Sequence, residues 1–325
     1  MSFSVPPSGS VDPSVRLNRL NRLMSAQGRP TEGVNRETIF LDQGETLDTL
    51  TLLNQQDKTV AQAVEEALPQ LAPVVDAVVK AFKEGGRLFY VGAGTSGRLG
   101  VLDAVECVPT FGTPPEQVQG LIAGGEKALT QAVEGAEDDV LQGEYDLAQK
   151  GITTHDVVVG ISASGGAPYV RGAVQHARRQ GAVTASVVNN PKAPLNDDVD
   201  YPVVVETGPE PITGSTRMKS GTAQKMVLNM LSTAAMVRSG RTYGNVMIDV
   251  VPTNDKLVER SRRMVSGLTG VSAEKATKFL EQANGKVKEA VMMAVFRVPV
   301  EQAKAMLNET HGFIGPWLDN QESQP

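Results

Sequence analysis

Between Arg87 and Val205 the apolar positions fall into short runs. RLFYV (87–91), VQGLIA (118–123), DVVVGI (156–161), AVTASVV (182–188) and YPVVV (201–205) are rich in β-formers and bounded by Gly or loop residues. The stretches between them, near 98–107, 126–149 and 168–180, carry helical spacing instead. This alternation predicts an α/β fold, a doubly wound parallel sheet covered by helices on both faces. Sheets of this kind bind ligands at the carboxyl ends of their strands. Upstream, Val60, Val64, Leu68, Leu71, Val75 and Val78 recur at helical spacing within 59–84, with Pro69 and Pro73 as candidate breaks. Downstream, a helix over roughly 215–239 carries Met218, Met226, Met230 and Met236, which read as core or interface packing.

From about Thr253 the pattern is helical throughout. It holds a degenerate repeat, VSAEKATKFLEQANGKVKEAV (271–291) over VPVEQAKAMLNETHGFIGPWL (298–318). Glu274 matches Glu301, Ala276 matches Ala303, Leu280 matches Leu307 and Gly285 matches Gly312, which predicts two similar helical hairpins in a C-terminal helical bundle. The expected division is a disordered, Pro/Ser/Gly-rich leader over 1–30, an α/β domain with amino-terminal helices over 31–252, and a small helical domain over 253–325.

Composition narrows the function. With 325 residues, a net charge of −6 and a pI near 5.3, the chain offers no broad positive field for nucleic acid or an anionic membrane. An anionic ligand must be held locally. Cys107 is the sole cysteine, and His155, His176 and His311 are scattered, so neither disulfides nor a metal site is expected. Neither a secretory leader nor a membrane span is legible, which points to a cytoplasmic protein.

Two loops can hold a phosphate. The first candidate strand runs into Gly94, Thr95, Ser96 and Gly97, with Arg98 next, and then a helical pattern. Glycines let the backbone approach an anion, a helix start supplies free N–H groups, and the hydroxyls and Arg98 add donors. The spacing G-x-G-x-x-G also fits dinucleotide binding, but the acid expected about 20 residues on is missing. The third candidate strand repeats the arrangement with Ser162, Ser164 and Gly165, where helix capping is the plainer alternative. A further polar segment, with Ser215 at its centre, opens the later helix; capping explains it nearly as well.

Two carboxylates stand out. Glu106 shares a helical face with Leu99 and Leu102, so it either continues an apolar stripe, with a raised pKa, or reaches solvent from the stripe's edge. Glu137 lies ahead of a helical run, where acids usually complement the helix dipole.

These motifs carry a resemblance. VGAGTSGRLGVLDAVEC (91–107), GLIAGGEKAL (120–129), AVEGAEDD (132–139), DVVVGISASGGAPYV (156–170) and TGSTRMKSGTAQKMVLNMLST (213–233) resemble N-acetylmuramic acid 6-phosphate etherases, as do Thr31-Glu32 and NQQDKTV (54–60). The likeness runs from about residue 31 to the end. The glucokinase regulatory protein is a related binder about twice as long. Two departures are local: AVEC stands where the family commonly has ASEC, and SASGGAP where it often has ASGRTP.

The resemblance implies a sugar-isomerase-type fold, a sugar-phosphate substrate, no cofactor and a homodimer. It implies loss of D-lactate from C3 of N-acetylmuramic acid 6-phosphate, and places the family's two functional glutamates on Glu106 and Glu137. Glu106, on its apolar stripe, is the expected acid for the lactate oxygen and Glu137 the expected base at C2. A sugar-phosphate sensor or an aldose–ketose isomerase on the same scaffold are the competing readings.

Overall fold

The structure, a computed structural model, describes residues 12–23, 30–250 and 255–319. Its strands are β1 (Leu88–Gly92), β2 (Val118–Ile122), β3 (Val157–Ile161), β4 (Val183–Val188) and β5 (Tyr201–Val204). All pair in parallel, in the order β2-β1-β3-β4-β5. The helices are α1 (Pro13–Leu23), α2 (Thr46–Lys83), α3 (Gly94–Phe111), α4 (Lys127–Thr130), α5 (Val140–Ala148), α6 (Pro168–Arg179) and α7 (Lys219–Val237). The carboxyl-terminal helices are α8 (Asp255–Thr269), α9 (Ala273–Gln282), α10 (Val287–Phe296), α11 (Val300–Glu309) and α12 (Gly315–Leu318).

Both faces of the sheet are covered, and the two-residue period of the strands sorts their side chains. Leu88 and Tyr90 of β1 join Val157, Val159 and Ile161 of β3 in a core shared with α2, α3 and α7. Phe89, Val91 and Val158 point the other way, into a core with Leu147 of α5 and Tyr169, Val170 and Val174 of α6. Strands buried on both faces explain the near-continuous apolar runs in the sequence. The chain leaves β1 toward β2 on one side and returns to β3 on the other. The carboxyl ends of β1 and β3 therefore flank the topological switch point, where open α/β sheets bind ligands.

The helix expected between 59 and 84 is longer and unbroken, spanning Thr46–Lys83 with Pro69 and Pro73 inside it. Both prolines sit on its exposed face, while Val60, Val64, Ala67, Leu71, Val74 and Val78 form a buried stripe. Packing along that stripe outweighs the missing N–H bonds. Leu68, counted with the stripe from sequence, is exposed. Within the segment read as a disordered leader, Pro13–Leu23 is instead helical and Arg16 Nη2 pairs with Asp42 at 2.5 Å. The rest of that leader before Pro30, and the boundary expected near 253, lie outside the described residues, apart from Asp12.

The carboxyl-terminal helices enclose a separate apolar cluster, from Ile248 to Ile314. The repeat is visible in its turns. Asn284 and His311 both have positive φ, 51° and 52°, and the next residue's amide, Gly285 or Gly312, closes each helix onto Leu280 or Leu307 at 2.7 Å.

One polar cluster is sealed between β1, α3 and α7. Tyr90 Oη donates to Asp103 Oδ2 (2.9 Å) and Ser232 Oγ donates to Asp103 Oδ1 (3.0 Å). Burial pushes the Asp103 carboxyl up to about 6, against the pull of those donors and of Lys225. Its folded pKa lies above the unfolded one, so its contribution to stability is full below about pH 4 and is lost as pH rises through about 6. Urea midpoints of Asp103→Asn and wild type between pH 4 and 7 should show wild type losing ground to the variant up to about pH 6, then a constant gap. A gap that ignores pH would contradict this titration.

Candidate functional site

At the switch point the β1–α3 loop and the β3–α6 loop face each other across a cleft of roughly 400 Å³. Gly94, Thr95 and Ser96 form one wall, and Ser162, Ser164 and Gly166 the opposite one. Glu137 and Asp138 close one side; Glu32, Gly214 and Thr216 close another. The lining is predominantly polar, as a phosphorylated ligand requires.

The first loop works through its backbone. Glycine 97 is needed for close packing: a Cβ there would stand 2.7 Å from Gly92 O and 2.6 Å from Ile122 Cγ1. With no side chain in the way, α3 starts hard against β1. The first intrahelical bond runs from Gly97 N to Ala93 O, so the amides of Gly94, Thr95 and Ser96 precede it and stand at the positive end of α3. Ser96 Oγ is spent elsewhere. It donates to Gln224 Oε1 at 2.8 Å, and Gln224 Nε2 in turn donates to Asn189 Oδ1.

The second loop keeps its hydroxyl protons. Gly165, at φ +67°, makes the turn, and its amide donates to Ser162 Oγ (3.0 Å) and Ser162 O (3.1 Å). The Gly166 amide donates to Ser164 Oγ (3.1 Å). Both serines thus accept from the loop's own backbone, which fixes their rotamers, while each O–H is left to donate to a ligand oxygen.

Glu137 occupies a 3-10 turn (Ala136–Asp138) entered through Gly135 at φ +72°. Asp139, next but one, caps α5 by accepting from Gln142 N at 2.9 Å. The turn is anchored by Ala136, which packs on the α6 side of the sheet. Glu137 itself is exposed and faces the two phosphate loops.

Several sequence expectations need correction. Arg98 is not in the cleft: its guanidinium donates to Leu129 O (3.2 Å) and Gln131 O (3.1 Å), steadying the chain that leads to Glu137. Gly97 packs rather than binds, and the amide of Gly165 is consumed by Ser162. Ser215 is displaced by its neighbours Gly214 and Thr216, which are the residues that line the cleft. The largest correction concerns Glu106. It does not continue a buried stripe; the buried face of α3 is Gly97, Gly100, Asp103, Ala104, Cys107 and Phe111. Small residues let α3 lie close to the sheet, and they turn Leu102, Val105 and Glu106 outward. Glu106 is exposed and does not line the cleft.

Glu32 and Thr216 were not singled out as site residues. Glu32 is brought in by its neighbours: Asn190 Nδ2 donates to Thr31 Oγ1 (3.0 Å) and to Ala163 O (2.8 Å), so the 30–35 segment is fastened to the β3 loop. No periodicity marks such a contact between residues so far apart; the only signal was the likeness of Thr31-Glu32 to the family's amino-terminal region.

The segment carrying Gly214 and Thr216 is fixed by Glu210, which is fully buried. It accepts from Lys219 N (2.8 Å), Ser220 N (3.0 Å) and Ser220 Oγ (2.7 Å), capping α7 from nine residues upstream. Lys219 is buried too, its amine lowered by desolvation against the attraction of Glu210, Glu37 and Asp57. No group of three or more His, Cys, Asp or Glu among the described residues is arranged to hold a metal ion.

The family model of the glucokinase regulatory protein N-terminal SIS domain matches residues 70–178. A protein of Exiguobacterium sp. named N-acetylmuramic acid 6-phosphate etherase is 51% identical over 284 residues, 87% of this chain and 97% of that protein. A protein of the same name from Clostridioides difficile is 48% identical over 292 residues, 90% of this chain and 96% of the relative. Among solved structures, a phosphoheptose isomerase from Francisella tularensis is similar at a TM-score of 0.45 and 18% identity, over 60% of this chain and 100% of that one.

Proposed function

The chain belongs to the N-acetylmuramic acid 6-phosphate etherase family, and on that premise we propose that the cleft between the β1 and β3 loops is where the lactyl ether is cut. The enzyme is a carbon–oxygen lyase. It converts N-acetylmuramic acid 6-phosphate and water to N-acetylglucosamine 6-phosphate and D-lactate. The observation that carries the assignment of the site is the meeting, in one cleft, of two anion-ready loops and the carboxylate of Glu137.

The chemistry explains why both are needed. An ether at C3 is inert until the neighbouring C2–H is acidic, and ring opening makes it so by exposing an aldehyde at C1. A carboxylate base removes the C2 proton, the C3–O bond breaks, and an acid protonates the departing lactate oxygen. The resulting C2=C3 double bond is conjugated with the aldehyde, so water adds at C3 and a proton returns to C2. We assign Glu137 as the base and Glu106 as the acid. The phosphate, remote from the reacting carbons, supplies binding energy that orients C2 and C3. It rests on the amides of Gly94, Thr95 and Ser96 and the hydroxyls of Ser162 and Ser164.

Purified protein should release D-lactate from the phosphorylated sugar, and Ser164→Ala should raise KM more than it lowers kcat. An unchanged KM would remove Ser164 from the phosphate site; absence of lactate with the ligand still bound would favour a sensor.

The same reading places the reaction in the cytoplasm, in recycling of peptidoglycan-derived amino sugar. A phosphorylated sugar stays inside the cell that made it, and no helix among the described residues is long and apolar enough to cross a membrane. The working unit in this reading is a homodimer, supported by the apolar groove between α2 and α7 that Leu68, Leu71, Met226, Met230 and Val237 line.

A further inference from the structure

Glu32 is held at the cleft by a set of buried hydrogen bonds. It ends a 3-10 turn, Pro30–Glu32, whose Thr31 is fastened to the β3 loop through Asn190. Asn35 Nδ2 donates to Gln56 Oε1 (2.7 Å) and Pro209 O (3.3 Å), and Thr38 Oγ1 donates to Pro211 O (2.9 Å). Those bonds tie the segment to residues 209–211, which lead to Gly214. Gly214, at φ +77°, turns the chain past the Glu32 carboxylate, where a Cβ would stand 3.4 Å from Oε2.

The carboxylate so held is not spent on the fold. The buried acids Asp103, Asp156 and Glu210 accept from Tyr90 and Ser232, from Arg87, and from the start of α7 respectively. Glu32 is half-buried, makes no side-chain hydrogen bond or ion pair among the described residues, and lines the cleft instead. A positioned acid with no partner in a polar cleft is free to act on what binds there.

The two sides of the cleft come from opposite faces of the sheet. Glu137 is carried by the turn anchored through Ala136 on the α6 side. Gly214 and Thr216 lead into α7, which packs with α2 on the other face, and Thr216 O accepts from Gly221 N in its first turn (2.9 Å). A sugar ring between them presents opposite edges to the two glutamates. In a pyranose the bond opposite C2–C3 is C5–O5, next to the anomeric carbon and its hydroxyl. With C2 and C3 toward Glu137, O5 and O1 face Glu32.

That edge has chemistry of its own, because the elimination starts from the open-chain aldehyde and Glu137 is occupied at C2. We propose that Glu32 opens the sugar ring. Its carboxylate takes the proton of the O1 hydroxyl, the O–H electron pair forms the C1=O bond, and the C1–O5 pair passes to O5. O5 then takes the proton from the carboxyl group, which leaves Glu32 ionised as it began. O1 and O5 are both bonded to C1, so one carboxyl group can span them. This rests on the etherase reading and on the sugar entering in its cyclic form.

The reverse step closes the ring of the product. The enzyme should therefore interconvert the α and β anomers of N-acetylglucosamine 6-phosphate, a reaction that touches neither C2 nor a lactyl group. Magnetisation transfer between the two anomeric protons, at saturating product, reads this directly. Wild type should speed the exchange, and so should Glu137→Gln, in which lactate release is lost. Glu32→Gln should slow it by about 10²–10⁴-fold, the contribution of a positioned acid–base group. Its D-lactate release should fall to the rate at which bound sugar opens unaided, with KM little changed, and Glu32→Asp should retain part of both. Retained binding of the product shows that the variants are folded. Exchange at the wild-type rate in Glu32→Gln, with or without a rise in KM, would make Glu32 a group that only holds the sugar and would overturn the proposal, leaving the etherase assignment intact. A wild type that releases D-lactate without speeding the exchange would overturn it equally. Exchange that depends on Glu32 in a wild type that releases no D-lactate would instead count against the etherase reading and leave the ring-opening role standing.

Discussion

Glu137→Gln should lower kcat for D-lactate release by two to four orders of magnitude, about what a positioned general base contributes, with KM little changed. The substitution is close to isosteric, and Glu137 is exposed and makes no side-chain hydrogen bond or ion pair among the described residues, so folding should not suffer. What it removes is an acceptor for the C2 proton. That role has its own signature: wild type in heavy water should wash deuterium into C2, and the variant should not. Glu134→Gln, two residues before the turn and outside the cleft, should behave as wild type. Turnover within roughly tenfold of wild type, or C2 exchange that survives the substitution, would take the base role away from Glu137.

How far the site could be read from sequence depended on how local its determinants are. The strands were legible because burial on both faces leaves no polar position to blur them, as in β1 and β3. The loops after them were legible because a strand, a turn and a helix start are consecutive in the chain; Thr95, Ser96, Ser162 and Ser164 are all where the turn chemistry put them. Glu106 misled for a physical reason. The apolar positions of a helix are normally its buried ones, but α3 buries Gly97, Gly100 and Ala104 so as to approach β1, and Leu102 and Val105 are left outside. Over that middle stretch of the helix size and burial are inverted, and no periodicity of hydrophobicity can detect that. Glu32 was missed because its place depends on Thr31 and Asn190, 159 positions apart.

Glu210 belongs to the same class of residue, and removing it should have the largest effect on stability. Helix α7 starts at Lys219 with no side-chain cap from Met218, so its first amides need an acceptor from elsewhere. Both oxygens of Glu210 provide it, inside the protein, and the charge also offsets the buried ammonium of Lys219. Glu210→Ala leaves the amides of Lys219 and Ser220 without an acceptor, away from water, and removes the charge that attracts the Lys219 ammonium; each buried group left unsatisfied costs about 1–3 kcal/mol. Against the roughly 5–15 kcal/mol that holds a domain together, that is enough to shift the urea midpoint far or to prevent folding at 37 °C. Glu210→Gln separates the two contributions. Its amide oxygen can still accept from Ser220, but the charge is gone and the NH2 opposes the amide of Lys219, so the loss should be intermediate. Equal losses in both variants would mean that charge matters and the hydrogen bonds do not; a loss below about 1 kcal/mol in Glu210→Ala would mean that α7 is capped some other way. Because Gly214 and Thr216 hang between Glu210 and α7, a folded Glu210→Gln enzyme should also bind its substrate more weakly, linking the cap of one helix to the rim of the cleft.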